Sequence, residues 1–350
     1  MTLSLDNHGQ VDLLSLIESG DHLDSPGETT GIPERSPDPD PVPPIVKWAG
    51  GKAAAAADIE GFMPSSYGCY FEPFAGGLAM LLHLCPDRAI VSDTNEDLIC
   101  LYQEVKRDPR RVSRLLHILA DHHRGPGSYL AVRKSWNKLR NRWSPAVRAA
   151  SFMYLNRTCF NGLWRVNRAG GMNVPPGSGS IYWPSEDHLI SAAAVLSRAD
   201  IRCSDYRDTV GSAQPGDLVY FDPPYLRLPD PGEPGVNDPD ESDESGGMAA
   251  KDAGTGTGKA KKPKTTRAAS FTAYTKDAFG PDQHAELASL ARELSGRGIH
   301  VVLSSSDTPE AREIYAGFRL HETSPRRRSV SAKASGRARV GELILIGGAS

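Results

Sequence analysis

The chain contains the run Asp217-Leu218-Val219-Tyr220-Phe221-Asp222-Pro223-Pro224-Tyr225, in which an apolar segment ends in Asp-Pro-Pro-Tyr. Residues 218–221 are apolar and β-prone and lie between a glycine and the prolines, which is typical of a buried parallel strand. The prolines end the strand because they donate no backbone hydrogen bond and fix the backbone. Asp222 and Tyr225 are therefore expected at the carboxyl end of a strand, where open α/β sheets bind their ligands.

The end of this predicted strand combines an acidic acceptor, a proline-fixed carbonyl and an aromatic ring, in Asp222, Pro223 and Tyr225. Such groups suit a planar amine, because the acceptors take its N–H bonds and the ring stacks on its face. The tetrapeptide alone leaves open an ordinary strand followed by a proline turn.

Length and composition limit the class of protein. The 350 residues can form one large domain or two, with an ample core. No apolar run approaches the ~20 residues of a membrane span, and residues 1–20 do not have the pattern of a secretory signal. The five cysteines are scattered without a Cys-x-x-Cys pair, which favours reduced thiols over disulfides or zinc. We predict a cytoplasmic protein with no membrane partner and no metal.

Charge is distributed unevenly along the chain. The formal net charge is −3, but residues 1–44 alone carry nine acidic residues and one basic residue. The remainder is therefore mildly basic, which fits a polyanionic partner. The polar, acidic and proline-rich residues 1–44 cannot bury enough apolar surface to fold, so we predict a disordered extension.

The folded part is predicted to begin near Ile45, where Ile45-Val46-Lys47-Trp48-Ala49-Gly50-Gly51-Lys52 precedes an alanine-rich helix. The two glycines permit a tight loop before that helix. A phosphate-binding P-loop is not indicated, because the first glycine of that motif is missing and Ala53 occupies the Ser/Thr position.

A nucleotide-type cradle is predicted next. The strand 69–74, the turn Gly76-Gly77 and the helix 78–84 give the strand, glycine turn and helix of such sites. A second strand ends in Asp93, about 20 residues past the turn, where an acid accepts hydrogen bonds from ribose hydroxyls. The turn is not G-x-G-x-x-G, so a dinucleotide is disfavoured. A purely structural turn remains the alternative for the glycines alone.

Helices are predicted at 95–106, 109–122, 128–142 and 144–159, followed by a glycine-rich stretch at 161–175. We interpret that stretch as a hairpin or loop projecting from the sheet. Its basic and amide side chains lie beside aromatic residues, a combination suited to base contact and stacking. An ordinary polar surface hairpin is the alternative. The side chains are Arg165, Asn167, Arg168 and Asn173.

The remaining chain alternates predicted elements with one interruption. Residues 226–270 have no apolar periodicity and are predicted to form a low-complexity, mobile insert. A basic stretch at 326–339 favours phosphate contact over a merely solvated face. The predicted elements are helices 186–199, 281–296 and 308–315 and strands 201–204, 300–304, 318–323 and 342–346.

The motifs together, from Ile45 to Gly348, resemble those of the Dam-like (D12 class) DNA adenine N6-methyltransferases. The acidic tail and the insert are additions to the family pattern, and residues 177–180 lack a basic residue expected there. The matching motifs are Lys-Trp-Ala-Gly-Gly-Lys at 47–52, Glu-Pro-Phe-Ala-Gly-Gly at 72–77, Asp93, Leu-Asn-Arg…Asn-Gly-Leu-x-Arg at 155–165, Asn-Val-Pro at 173–175, Asp-Pro-Pro-Tyr at 222–225 and Phe-Thr-Ala-Tyr at 271–274.

The resemblance implies a class I methyltransferase fold, a Rossmann-like doubly wound α/β sheet of about seven strands with a helical and hairpin DNA-recognition insert. The implied organisation is a cofactor-binding half at 45–107, a target-recognition subdomain at 108–185, a catalytic half at 186–225, the insert at 226–270 and the remainder of the methyltransferase domain at 271–350.

The resemblance also implies S-adenosyl-L-methionine as cofactor and double-stranded DNA as partner. The implied catalytic residues are Asp222, Pro223 and Tyr225. The implied cofactor-binding residues are Trp48, Lys52, Glu72, Phe74, Gly76, Asp93 and Asp222. The implied DNA-binding residues are Lys47, Phe160, Asn161, Leu163, Arg165 and Pro175.

The expected reaction is direct methyl transfer to adenine N6, with the target base flipped out of the duplex. The best-known family members read GATC, which makes GATC the expected target. A cytosine N4-methyltransferase is the alternative within the chemistry, although its motif more often starts with Ser. A catalytically silent regulator that binds DNA and cofactor is the alternative from another class. We expect a monomer and leave a restriction enzyme partner open.

Overall fold

The computed structural model describes residues 40–167, 169–226, 279–323 and 341–347. The predicted acidic extension, nearly all of the predicted insert and the basic stretch at 326–339 lie outside the described residues. The same applies to Arg168 and to the Phe-Thr-Ala-Tyr motif.

Within the described residues, seven strands form one sheet in the order β3-β2-β1-β4-β5-β7-β6. Strand β7 runs antiparallel to both neighbours, and the remaining pairs are parallel. The predicted α/β doubly wound sheet is confirmed. The strands are β1 (Tyr70–Glu72), β2 (Ala89–Asp93), β3 (Ala199–Cys203), β4 (Leu218–Phe221), β5 (His300–Ser306), β6 (Arg319–Thr323) and β7 (Glu342–Gly347).

The α-helices within the described ranges flank this sheet. They are α1 (Ala56–Glu60), α2 (Ala79–Leu84), α3 (Glu96–Arg107), α4 (Pro109–Asp121), α5 (Pro126–Leu139), α6 (Pro145–Thr158), α7 (Glu186–Leu196), α8 (Tyr206–Val210), α9 (Pro281–Gly296) and α10 (Pro309–Ile314). Several begin at Pro after a side-chain cap, as at Ser144 and Thr308. None of the helices in these ranges has the combined length and apolar character of a membrane span.

Some boundaries differ from the sequence-based prediction for identifiable reasons. Strand β1 ends at Glu72 because Pro73 cannot continue the ladder. The predicted helix 186–199 was too long, since Ala199 already pairs with Ala89 at the start of β3. The alanine run after Lys52 forms only the short helix α1, which lacks a side-chain cap at its start.

The sheet separates two apolar layers. Alternate residues of β4 face opposite sides, so Leu218 and Tyr220 pack in one cluster while Val219 and Phe221 pack in the other. Helices α3 to α7 contribute to the first cluster, and α9 and α10 contribute to the second. Because β4 is buried on both faces, it is a rigid support for the turn that follows it.

The sheet topology brings distant residues to one edge. Strands β1, β4 and β5 are neighbours and parallel, so their carboxyl ends meet at that edge. Strand β7 is antiparallel to β5, and Ser306 lies opposite Glu342 in the register. The first residue of β7 therefore arrives where the three parallel strands end.

The stretch predicted as a hairpin does fold back on itself, with antiparallel bridges between Val166 and Met172 and between Cys159 and Pro176. Helix α5 holds it in place. The Tyr129 hydroxyl donates to the Val174 carbonyl at 2.6 Å. Two further side chains of α5 donate to backbone carbonyls in the same arm of the hairpin. The hairpin is therefore fixed to the helical part of the molecule by hydrogen bonds.

Candidate active site

The candidate site is centred on a buried ion pair at the carboxyl end of β4. The Lys52 ammonium lies 2.7 Å from Oδ1 and 2.9 Å from Oδ2 of Asp222. It also donates to the Gly50 carbonyl at 2.7 Å and lies 3.4 Å from a carboxylate oxygen of Glu342. The Lys52 side chain is 5% exposed and that of Asp222 is 20% exposed, so the pair is largely removed from water.

Strand β5 fixes the carboxylate from its other side. The Ser304 hydroxyl donates to Asp222 Oδ1 at 2.6 Å and lies 3.1 Å from the Tyr220 hydroxyl. Ser304 and Tyr220 are fully buried or nearly so. Because rotamers inside a packed core are restricted, these contacts hold the Asp222 side chain in one orientation.

Tyr225 closes the site above the ion pair. The Lys52 ammonium lies 4.7 Å from the centroid of the Tyr225 ring, within the range of a cation–π contact. The Tyr225 hydroxyl donates to the Glu342 carboxylate. The ring is therefore held at both its face and its tip, which suits a residue that stacks on a planar ligand.

The electrostatics of the pair reflect burial and mutual attraction. Burial opposes the charged form of Lys52, but Asp222, followed by Tyr220 and Glu342, outweighs it, so the pKa of Lys52 is raised. Burial raises the pKa of Asp222, opposed by Lys52 and Ser304. The Lys52 ammonium therefore stays charged, and it favours the carboxylate form of Asp222 although the site is poorly hydrated.

Glu72, at the end of β1, is a second buried carboxyl beside this pair. Its Oε2 accepts hydrogen bonds from the Tyr70 hydroxyl at 2.9 Å and from the Leu81 backbone N–H at 3.0 Å. Burial raises the pKa of Glu72 to about 8, against the effect of those two donors. At neutral pH this side chain is therefore mostly protonated and can donate as well as accept.

The predicted glycine turn brings the backbone against an indole. Gly76 has φ +44°, and a Cβ placed there would lie 2.9 Å from Cδ1 of Trp48. The Tyr102 hydroxyl donates to the Gly76 carbonyl at 2.6 Å. Both the positive φ and the close approach require glycine at this position. The partly exposed Trp48 ring therefore forms one wall beside the turn.

Asp93, at the end of β2, joins this wall. Its Oδ2 accepts from the Gly76 N–H at 3.0 Å, and its Oδ1 accepts from the Asn95 N–H at 2.9 Å. The Thr94 backbone also hydrogen-bonds to Asp93. A carboxylate offers about four acceptor sites, so about one remains for a hydroxyl donor of a ligand. Burial raises the pKa of Asp93.

Phe74 borders the same cradle through an aromatic cluster. Its ring stacks on Tyr206 at a centroid distance of 5.2 Å and meets the edge of Phe279 at 5.5 Å. The partly exposed Phe74 thus has its ring orientation set by its neighbours. The residues predicted to bind cofactor all lie near this strand edge. They are Trp48, Lys52, Glu72, Phe74, Gly76, Asp93 and Asp222.

The residues predicted to bind DNA lie around the hairpin and its base. The Lys47 N–H donates to the Asn156 side chain at 2.9 Å, and the Asn156 amide donates back to the Lys47 carbonyl at 2.7 Å. A Cβ on Gly162 would lie 2.3 Å from Cβ of Lys47. The segment before Lys52 is therefore locked to the base of the hairpin. Exposed residues of this region include Lys47, Asn161 and Pro175, while Phe160 and Leu163 are partly buried.

Arg165 is held within the hairpin itself. Its Nε donates to the Asn173 side-chain oxygen at 2.8 Å, and one terminal nitrogen lies 3.4 Å from the Asn173 carbonyl. Because Asn173 is neutral, this contact does not compensate the positive charge of the Arg165 guanidinium. The bond fixes the direction of the side chain while other guanidinium donors remain.

Three further residues of the site were not predicted from the sequence: His284, Ser304 and Glu342. Each contacts the Asp-Pro-Pro-Tyr turn from an element that follows it in the chain. Two signals were available. Three consecutive serines interrupt the apolar strand β5, and an acid begins the otherwise apolar strand β7. Buried polar residues of this kind require partners.

The fold is that of a class I methyltransferase. It combines a mostly parallel sheet that has one antiparallel strand with a glycine turn after β1 and a buried acidic turn after β4. Comparison with known proteins agrees. The D12 class N6 adenine-specific DNA methyltransferase family matches residues 48–229 and 264–328. The chain is 32% identical over 308 residues to the Type II methyltransferase M1.LlaDCHI of Lactococcus lactis subsp. cremoris, with 86% of this chain and 94% of the relative covered.

Other relatives give the same result. The DNA adenine methylase of Escherichia coli (strain K12) is 32% identical over 303 residues, covering 86% of this chain and 94% of the relative. The Type II methyltransferase M.MjaIII of Methanocaldococcus jannaschii is 31% identical over 305 residues, covering 82% and 92%. The chain belongs to the D12 class N6 adenine-specific DNA methyltransferase family, and it is a site-specific, adenine-specific DNA methyltransferase.

The burial of Glu72 predicts a pH dependence of stability. Because its pKa is about 8 in the folded chain and near 4.5 when unfolded, the folded state retains a proton that the unfolded state releases between these values. The free energy of unfolding should therefore fall as pH rises through this window. Glu72→Gln cannot ionise and should escape that loss, gaining roughly 2–4 kcal/mol relative to the wild type between pH 5 and 8.

Urea unfolding of both proteins at several pH values checks this expectation. Asp187→Asn removes an exposed carboxylate from α7 and is the control for loss of one acid. Parallel stability curves for the wild type and Glu72→Gln would show that Glu72 is ionised in the folded state.

Proposed function

We propose that this protein transfers the methyl group of S-adenosyl-L-methionine to N6 of an adenine flipped out of double-stranded DNA, at the sequence GATC. The observation that carries the proposal is the Asp222 carboxylate held by Lys52 and Ser304 at a strand edge, under the ring of Tyr225. The family supplies the reaction class, and this geometry supplies an acceptor for an exocyclic amine.

The residues of the cradle fit the proposed cofactor. The close approach of the Gly76 backbone to Trp48 leaves an aromatic wall beside a backbone turn, and Asp93 retains acceptor capacity for ribose hydroxyls. Glu72, Phe74 and Lys52 would complete the pocket. When bound, S-adenosyl-L-methionine supplies an electrophilic methyl group attached to a positively charged sulfur.

Asp222 has one acceptor position left for the substrate. Lys52 contacts both of its oxygens, and Ser304 donates to Oδ1. With about four acceptor sites on a carboxylate, the remaining one lies on Oδ2. When adenine donates one N6–H to this position, the lone pair of N6 is less delocalised into the ring. The Pro223 carbonyl accepts the second N6–H. The amine then becomes a better nucleophile in a fixed position.

The role of Asp222 is electrostatic. The amine becomes acidic only after it gains the methyl group, so no strong base is needed before transfer. Positive charge develops on N6 as the bond from nitrogen to the methyl carbon forms and the bond from that carbon to sulfur breaks, and a fixed carboxylate stabilises this charge without reorganisation. The methylated nitrogen then releases one proton to solvent, which leaves neutral N6-methyladenine and a neutral thioether. Lys52 keeps that carboxylate in place and balances its charge in the free enzyme.

Adenine N6 cannot reach a protein pocket from inside a duplex, so the base leaves the stack. Tyr225, fixed by Glu342 and Lys52, would stack on the extruded ring. Phe160 lies at the base of the hairpin, where it could fill the space left in the duplex.

We assign target reading to the hairpin and the segment locked to it. Arg165 is directed by Asn173 and can donate to the two acceptors of a guanine in the major groove. Asn161 is exposed and has a left-handed backbone conformation, with φ +54°. Lys47, Leu163 and Pro175 border the same surface.

Asp222→Ala should lower the rate of methyl transfer by at least about 10²-fold, because the developing charge on N6 loses its fixed partner. Binding of DNA should change little, because Asp222 faces the flipped base and not the duplex. Single-turnover transfer of tritiated methyl groups and a DNA-binding titration measure the two quantities. A variant with a transfer rate near that of the wild type would remove Asp222 from the mechanism.

Arg165→Ala should relax sequence choice at one base pair of the target, with a loss of discrimination of roughly 1–3 kcal/mol. Arg110→Ala, which removes an exposed arginine from α4 outside the hairpin, is the matched control for loss of positive charge. Methylation rates on duplexes with single substitutions in GATC give the comparison. Unchanged discrimination in Arg165→Ala would exclude Arg165 from base reading.

A further inference from the structure

The Asp-Pro-Pro-Tyr turn and the residue after it, here called the catalytic turn (residues 222–226), are held by side chains that follow it in the chain. The contacts come from α9, β5 and β7. They pair Ser304 with Asp222, His284 with Pro224, Glu342 with Tyr225 and Ser306 with Leu226. The contact from α9 is distinct because it binds the backbone of the turn through an imidazole.

His284 is fully buried on the inner face of α9. Its Nε2 lies 2.9 Å from the Pro224 carbonyl oxygen, and its Nδ1 lies 2.7 Å from the Tyr315 hydroxyl. The ring also meets the Phe279 ring at a centroid distance of 4.8 Å and near a right angle. Both nitrogens of the imidazole therefore have hydrogen-bond partners, and the ring packs against Phe279.

These partners assign the proton on the ring. A carbonyl oxygen only accepts hydrogen bonds, so Nε2 carries the hydrogen and donates to Pro224. Nδ1 then accepts from the Tyr315 hydroxyl, which donates. Burial lowers the pKa of His284 to about 4, so this neutral form persists throughout the neutral range. The protonation state of His284 that this hydrogen bond requires therefore does not change near neutral pH.

The hydrogen bond from His284 to the Pro224 carbonyl restricts the ψ dihedral of Pro224 in the catalytic turn. The proline ring already fixes φ of Pro224, which leaves ψ as the soft dihedral between the Pro223 carbonyl and Tyr225. A hydrogen bond to the Pro224 carbonyl fixes that ψ. The direction of the Pro223 carbonyl relative to the Tyr225 ring is then set by His284.

We propose that His284 is a positioning residue for methyl transfer, which holds the Pro224 carbonyl so that the Pro223 carbonyl and the Tyr225 ring address the same extruded adenine. This inference rests on the proposed function, since it assumes that those two groups contact the flipped base. Tyr315 supports His284 by fixing its tautomer.

A positioning role and a merely structural role predict different outcomes for two substitutions of similar size. In His284→Gln the amide nitrogen can replace Nε2 and still donate to Pro224. In His284→Asn the shorter amide can replace Nδ1 and accept from Tyr315 but does not reach Pro224. Both remove the imidazole ring and its contact with Phe279, so packing losses are comparable.

The experiment measures single-turnover methyl transfer, the KM for a GATC duplex and the thermal midpoint of each variant. We expect His284→Gln to keep the rate within about threefold of the wild type. His284→Asn should lose about 10- to 100-fold in rate with KM changed less than about twofold, because orientation and not binding is lost. Equal rates for the two variants, or rates that follow the thermal midpoints, would overturn the inference.

A second measurement remains informative if His284→Asn does not fold. Nitrogen NMR of histidine-labelled wild-type enzyme should show His284 as the neutral Nε2–H tautomer at pH 7. A charged ring or the Nδ1–H tautomer would overturn the inference. Failure of the proposed function is separable, because wild-type enzyme would then transfer no methyl group to adenine, whatever residue 284 is.

Discussion

The structure depends on the ion pair between Lys52 and Asp222, two residues 170 positions apart in the chain. Removing an ammonium and a carboxylate from water costs several kcal/mol for each ion, and the pair persists because further polar groups complete it. Gly50 and Glu342 satisfy the ammonium, and Ser304 satisfies the carboxylate. These contacts hold the pair in one geometry and leave one acceptor position on Asp222 open. A fixed geometry is what an electrostatic mechanism requires.

The order and direction of the strands bring this ion pair together. Strands β1, β4 and β5 place Glu72, Asp222 and Ser304 at one edge, and the antiparallel strand β7 brings Glu342 to the same place. The order of the strands therefore determines which side chains can meet. The glycine turn at Gly76 on one side and the hairpin on the other are attached to this edge through Trp48 and through the segment at Lys47.

Sequence patterns predicted the parts of the fold that are local. The apolar run of β4, the proline turn, the glycine turn before α2 and the acid at the end of β2 are each contained within a few residues, and all were found. The partners of the turn were missed for a physical reason. His284, Ser304 and Glu342 act through contacts across 60 to 117 positions, and no periodicity records which strand will lie beside which. The helix expected after Lys52 was also shorter than its alanine content indicated, since an uncapped helix start competes poorly with a turn.

We propose that the buried Asp222 carboxylate, held by Lys52 and Ser304 with one acceptor position left, accepts the exocyclic amine of a purine. Expression of the wild-type protein in cells that lack DNA adenine methylation, followed by mapping of modified bases across the genome, tests this most directly. We expect N6-methyladenine confined to one short sequence, GATC. Methyl groups on cytosine N4, or a genome without new methylation, would contradict it.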